Sequence, residues 1–394
     1  MANFTSVTRG WTTPSLDGDI YAEPLVFGGS VFVATENNSV YSLDATTGSV
    51  LWRTNLGPPV DGSQLPCGDI NPTGITGTPV IDPSTGTLYV VSYSVFHHTL
   101  SALKTSTGAV VFQRPAVPSG FMEINQQERA ALSLANGMVY IPYGGLAGDC
   151  AQYYGWVVGI PANGTGAMVT YKVPTTREGG IWTPSGAAVD PAGRVYIATG
   201  NAASDATFDY GNSVIRLSAT LSVEGYFAPT NWARLSDGDV DVGSVGPAFV
   251  GPNVIFQIGK EGVGYLLNSD KLGGVGGQTF EASVCAGGFG GTAYASSLIF
   301  VPCRDGLVAL QVANGVFTTA WRTSSFFAGP PVVTGGIVWT LDRDSGALLG
   351  YSTSTGHQAY SFPVGSVVHF VGPAAGDGRV FVTAGDKVVS FLLG

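Results

Sequence analysis

The sequence predicts an all-β chain, a closed β-propeller of eight four-stranded blades that uses residues 1–394 as one domain. Three observations predict it. The chain is full of short apolar runs, such as Val31-Phe32-Val33 and Val195-Tyr196-Ile197, set between turn residues with no long amphipathic helical pattern. One segment returns eight times. The two ends of the chain are complementary fragments of one such unit.

Composition supports the first observation. The 57 glycines and 23 prolines have no collagen period, and hydrophobic residues make up 44%. Tight turns between buried strands account for both. The recurring segment is a small or proline residue, an apolar step, a turn and an apolar strand, as in Pro24-Leu25-Val26-Phe27-Gly28-Gly29-Ser30-Val31-Phe32. It starts again at Pro79, Ala131, Ala188, Pro247, Thr292, Pro331 and Pro373, roughly 40 to 60 residues apart. Each interval holds about four strands and their turns, which is one blade. The last unit, from Pro373, has room for only about three strands, and Phe4–Trp11 reads as a lone strand. Pairing the two closes the ring and removes both open edges. Seven blades is the alternative if the third or fifth unit is irregular.

Charge narrows the partners. Net charge is −10, and charged residues are 11% of the chain, against roughly 25% in an ordinary domain. Nucleic acid and anionic membranes need basic patches that this chain lacks. No apolar run reaches the length that spans a bilayer. Met1-Ala2-Asn3-Phe4 begins without the basic and apolar regions of a signal peptide, so the chain reads as a mature domain. The four cysteines form no CxxC, which removes zinc ribbons and c-type haem attachment. Their even number points to two disulfides and a secreted or periplasmic location. Of the three connectivities, Cys285–Cys303 is expected because they flank one strand pair, leaving Cys67–Cys150. Four reduced thiols is the alternative.

A second pattern lies late in several units. Leu43-Asp44-Ala45-Thr46-Thr47-Gly48 precedes Trp52, Ser106-Thr107-Gly108 precedes Phe112, Asn314-Gly315 precedes Trp321, and Ser354-Thr355-Gly356 precedes Tyr360. The glycine suits a turn with positive φ, and the aromatic suits packing between blades. These Asp-x-x-Thr-Gly-x-x-x-Trp units resemble the repeat of the pyrroloquinoline-quinone (PQQ) quinoprotein propellers along the whole chain.

The resemblance implies a site. Quinoprotein dehydrogenases carry a tryptophan under the cofactor ring, then a calcium-ligating asparagine, an aspartate base and a basic residue on the quinone. Trp182, Asn201, Asp241 and Lys260 follow in that order here. The chemistry is coherent: an indole stacks on a flat ring, oxygen ligands suit calcium, a carboxylate takes an alcohol proton, and an ammonium holds an oxyanion. Asp149 is the second expected calcium ligand, where the family has a glutamate. Arg129 and His369, on loops elsewhere in the ring, are expected to finish the cofactor pocket. The chain has no adjacent Cys-Cys pair. Three readings therefore stand. One is a PQQ- and calcium-dependent oxidoreductase of alcohols or sugars. Another is a cofactor-free propeller that binds a small polar molecule, a polysaccharide or a protein on its loop-rich face. A non-redox lyase using Arg129, His369 and a carboxylate is a third. His97-His98 is a weak metal motif, because neighbours on one strand point to opposite faces.

Overall fold

A computed structural model describes residues 4–203 and 206–394. The start at Met1, Ala2 and Asn3 lies outside the described residues. Eight antiparallel sheets follow one another around an axis. Blade 1 is Leu25–Phe27, Ser30–Ala34, Ser39–Asp44 and Val50–Asn55. Blades 2 to 7 begin at Val80, Ser133, Ala188, Ala248, Ala293 and Val332. Blade 8 takes Ala374–Gly376, Arg379–Ala384 and Lys387–Leu393, and the N-terminal strand Val7–Thr12 completes it. In that closure Val7 pairs with Leu393 and Arg9 with Phe391. Seven blades is thus excluded. The third and fifth units are the irregular ones, as expected, but each still forms its own sheet. Blade 3 gains a short strand, Gln126–Gln127, on Gly144–Gly145. In unit 5 a detour through Gly274–Val275 pairs in parallel with the outer strand of blade 4 before Phe280–Ser283 closes the sheet.

Burial follows strand position. The short first strands of adjacent blades pack on one another around the axis. Second and third strands are the core: Val31, Val33, Val40 and Leu43 are fully or almost fully buried. Fourth strands face solvent on alternate residues, as Val50–Asn55 shows, which is why their sequences read half-polar.

The blades are joined by a repeated contact. Trp52 of blade 1 donates its indole N–H to the Thr105 carbonyl of blade 2, at 2.8 Å. Trp321 does the same to Thr353 (2.9 Å), and Trp11, on the closing strand, to Ala45 of blade 1 (3.1 Å). Each indole lies against the turn glycine three residues further on. A Cβ on Gly48, Gly108 or Gly356 would sit 2.5 to 2.6 Å from the ring. The Thr-Gly signature therefore supplies a flat seat for a neighbour's tryptophan as well as a positive φ.

Both expected disulfides are present, Cys67–Cys150 and Cys285–Cys303, and no described cysteine is free. The reduced alternative falls. Cys303 ends a strand rather than lying in a loop. The first bridge ties the loop entering blade 2 to the long hairpin of blade 3.

Candidate functional site

Loops that lead into the first strands, and the hairpins between second and third strands, share one face. On that face a cavity of about 220 Å³ opens at the axis. Its wall includes Arg129 from the loop into blade 3, Leu146–Asp149 from the blade 3 hairpin, and Trp182 from the loop into blade 4. Asp239, Asp241 and Ser244 come from the loop into blade 5, Lys260 from the blade 5 hairpin, and Phe289 and Phe370 from the loops into blades 6 and 8.

Trp182 is held by its backbone neighbours. The Ile181 amide donates to the Tyr143 carbonyl at 3.1 Å, and the Gly200 amide donates to the Gly180 carbonyl at 2.8 Å. The indole lies so close to Gly144 that a Cβ there would be 2.5 Å from the ring. Only a glycine lets the strand end pass beneath it.

Asp241 is buried and has its two carboxylate oxygens divided. Oδ1 accepts the Asn201 amide at 2.7 Å, and Oδ2 meets the Lys260 ammonium at 2.6 Å. A Cβ at Gly200 would stand 2.4 Å from Oδ1, so this approach also needs glycine. Lys260 reaches Asp239 Oδ1 as well, at 2.9 Å. Burial alone would lower the Lys260 pKa, but Asp241 and Asp239 outweigh it and raise the value, which keeps the ammonium charged. Burial raises the Asp149 carboxyl, and a hydrogen bond from Tyr153 at 2.5 Å opposes that shift.

Arg129 is the cavity's other cation. Its guanidinium stacks over Phe370, 4.7 Å from the ring centre, and its Nη2 is buried with no hydrogen-bond partner among the described residues. A buried, unanswered donor beside a cavity is costly unless something binds there.

Two expected residues are not in the wall. Asn201 lies behind it, with its backbone on Asp241 and its amide 3.5 Å from Glu178 Oε2. His369 sits behind Phe370, in a small polar recess with Tyr21, Thr76 and Arg129. Burial, then the charges of Arg129 and Arg343, hold its pKa down to about 4. Among the described residues no three carboxylate, histidine or free thiol ligand atoms converge at the cavity. The one such group, Cys285, Cys303 and Asp305, has its sulfurs in a disulfide. His97 is exposed and His98 buried, and both approach Glu123.

Sequence reasoning missed Phe289, Phe370 and the Leu146–Gly148 wall, which carry no polar signature. It also passed over Glu178 as a site residue. One signal is visible only in the backbone: Asp149, Glu178, Asp239 and Phe370 all have positive φ, between 47° and 71°. Left-handed non-glycine residues gathered at one place mark a site whose geometry is imposed by its surroundings.

The sequence profile of a PQQ-repeat family described as "Outer membrane protein assembly factor BamB" matches residues 6–214 and 287–392. The chain belongs to this family. A polyvinylalcohol dehydrogenase from Sphingopyxis sp. (strain 113P3) is 22% identical over 94% of the chain, which spans 61% of that relative's length. Among solved structures, a quinohemoprotein alcohol dehydrogenase from Pseudomonas putida HK5 superposes with a TM-score of 0.75 at 16% identity, covering 98% of this chain and 76% of that one. BamB from Moraxella catarrhalis gives 0.67 at 15% identity, covering 98% and 100%. These structural likenesses establish the family's propeller and not its chemistry.

Proposed function

We propose that the chain is the propeller of a quinoprotein-type oxidoreductase, acting on an alcohol or sugar with PQQ seated in the axial cavity. The observation that carries this reading is the composition of one wall. It joins an indole, an unanswered guanidinium, and a carboxylate paired with an ammonium. A flat, anionic, oxygen-rich ring suits that set. Two of the named relatives are alcohol dehydrogenases, and their names support the same class.

When bound, PQQ supplies the two-electron acceptor. Trp182 would stack on its ring system, and Arg129 would hold a carboxylate of it through Nη2. Oδ1 of Asp241 accepts the Asn201 amide and Oδ2 meets the Lys260 ammonium, and the lone pairs these leave free make the carboxylate the group that would take the substrate's hydroxyl proton. Lys260, already beside Oδ2, stabilises negative charge that develops on oxygen there. Phe289 and Phe370 give the cavity wall its apolar part. Asp149 and Asn201 are oxygen donors of the kind calcium takes; Tyr153 bonds Oδ1 of the first, and the side-chain nitrogen of the second faces Glu178. Among the described residues no three carboxylate or histidine ligand atoms converge at the cavity, and no step depends on calcium.

Two disulfides suit a secreted or periplasmic setting, and no described helix is long and apolar enough to cross a membrane. The test is dye-linked oxidation of alcohols and sugars by protein loaded with PQQ. Asp241→Asn keeps the shape and should retain cofactor binding while turnover falls by about 10²-fold or more. Turnover equal to wild type in that variant removes Asp241 as the base. No turnover in wild type leaves the cofactor-free binding propeller.

A further inference from the structure

A second pocket, of about 370 Å³, opens away from the axis on the same class of loops. Pro174 and Thr176, from the loop into blade 4, form one side, and Phe208, Asp209 and Tyr210, from the blade 4 hairpin, form the other. Nothing in the proposed oxidation uses it.

Two aromatic rings line it, Phe208 and Tyr210, and Tyr226 and Trp232 support them from outside the lining. Phe208 stacks on Tyr226 at 4.9 Å with 24° between planes. It meets Tyr210 at 5.2 Å and Trp232 edge-on at 5.4 Å. Phe208 and Tyr210 are only partly buried, so ring surface remains open to the pocket. Beside them, Asp209 Oδ1 accepts the Gly211 amide at 3.2 Å, while Oδ2 is buried with no partner among the described residues. Asp209 as a whole is only partly buried and lines the pocket, so its carboxylate leaves acceptor capacity beside the rings. Open aromatic surface together with a carboxylate acceptor matches a ligand that shows C–H faces and hydroxyl groups in alternation. A purely apolar ligand would leave Asp209 unanswered, and an anion would be repelled by it.

The pocket and the axial cavity share one loop: Pro174 and Thr176 line the pocket, and Trp182 and Pro184 of the same loop line the cavity. Between them Arg177 donates to the Asp149 carbonyl and pairs with Glu178 at 2.9 Å. Glu178 in turn faces Asn201, whose backbone amide holds Asp241.

We propose that this pocket is an outer subsite for a hydroxylated chain, which it holds while one unit of that chain enters the axial cavity. The proposal names the substrate class of the oxidoreductase reading and rests on that reading for turnover, but binding at the outer subsite needs no cofactor. Glycans and poly(vinyl alcohol) share the chemistry.

Retardation of the cofactor-free protein in native gels that contain a soluble β-glucan, and separately poly(vinyl alcohol), measures binding. Wild type should be retarded by at least one polymer, and the two gels show which source fits. Phe208→Ala should weaken that binding about tenfold, and Phe208→Tyr should restore it. Thr176→Trp, at an exposed position on the rim, should block the pocket without removing any core contact, which covers the case in which Phe208→Ala loosens the hairpin. In loaded enzyme, Thr176→Trp should raise KM for the polymer and leave oxidation of a small alcohol unchanged. Retardation of neither polymer overturns the subsite. So does binding that Thr176→Trp leaves at the wild-type level. Polymer binding without any turnover upholds the subsite and removes the oxidoreductase reading instead.

Discussion

Replacing Gly48 by alanine tests how the ring is held closed. Gly48 has φ +75°, and an added Cβ would lie 2.5 Å from the indole of Trp11. Two costs follow. A left-handed alanine costs about 1–2 kcal/mol. Displacing the indole loses its bond to the Ala45 carbonyl, about 1 kcal/mol. It also loses part of the packing of a half-buried tryptophan, about 1–2 kcal/mol where full removal costs 3–5. The sum is about 3–5 kcal/mol. Gly378 is the control, with φ +70° and nothing within 4 Å of its would-be Cβ. There the conformational cost stands alone. The two variants should differ by about 2–3 kcal/mol in denaturant unfolding. With about 2.1 cal/mol/K of unfolding entropy per residue, that is a Tm difference of about 2–4 °C for 394 residues. In a Trp11→Ala background, Gly48→Ala should cost no more than Gly378→Ala does. Equal costs at Gly48 and Gly378 in the wild-type background would refute the docking account.

Deleting residues 1–12 should lower Tm well beyond the effect of Gly48→Ala, because it strips the closing strand from Lys387–Leu393, exposes that strand's edge and opens the ring; an unchanged melting curve would contradict ring closure. Cys67→Ser should destabilise by about 2–4 kcal/mol, since the bridge closes a long loop, and peptide mapping without reductant should recover both cross-links. Glu36 is buried, accepts the Gly74 amide at 2.6 Å, and has its pKa raised to about 7 by burial. A raised carboxyl contributes stability that is present below its unfolded pKa and is lost as pH rises through 7. Glu36→Gln should therefore raise Tm at pH 8 and leave it unchanged at pH 4, with an upper limit of about 3 kcal/mol from the shift; an equal effect at both pH values would refute it.

The propeller was legible because its signals are local and repeated. Pro24 to Phe32 and its seven echoes each announce a hairpin, and Thr47-Gly48 announces a turn, so no long-range inference was needed. The closing strand was legible by subtraction, from a unit that starts at Pro373 and runs out of chain. The site was legible only in part. Trp182, Asp241, Lys260, Asp149 and Arg129 are chemically distinctive, and the structure gathers them in one cavity wall. Asn201 and His369 are equally distinctive in sequence, yet one lies behind Asp241 and the other behind Phe370. Which side of a loop a residue faces depends on contacts from other blades, and no local pattern encodes those. Nothing in the local sequence marks Phe289 and Phe370, or Gly144 and Gly200. Their roles exist only because an indole and a carboxylate from other blades press against or approach them.

The central claim is that the axial cavity takes a flat quinone against Trp182 and Arg129. Quenching of intrinsic fluorescence on titration with PQQ, with and without calcium, measures this directly. Wild type should show saturable quenching in both conditions. Trp182→Ala and Arg129→Ala should each weaken binding about tenfold, with circular dichroism showing both variants folded at the assay temperature. The absence of saturable binding by wild type in either condition would contradict the claim, as would equal affinity in all three proteins.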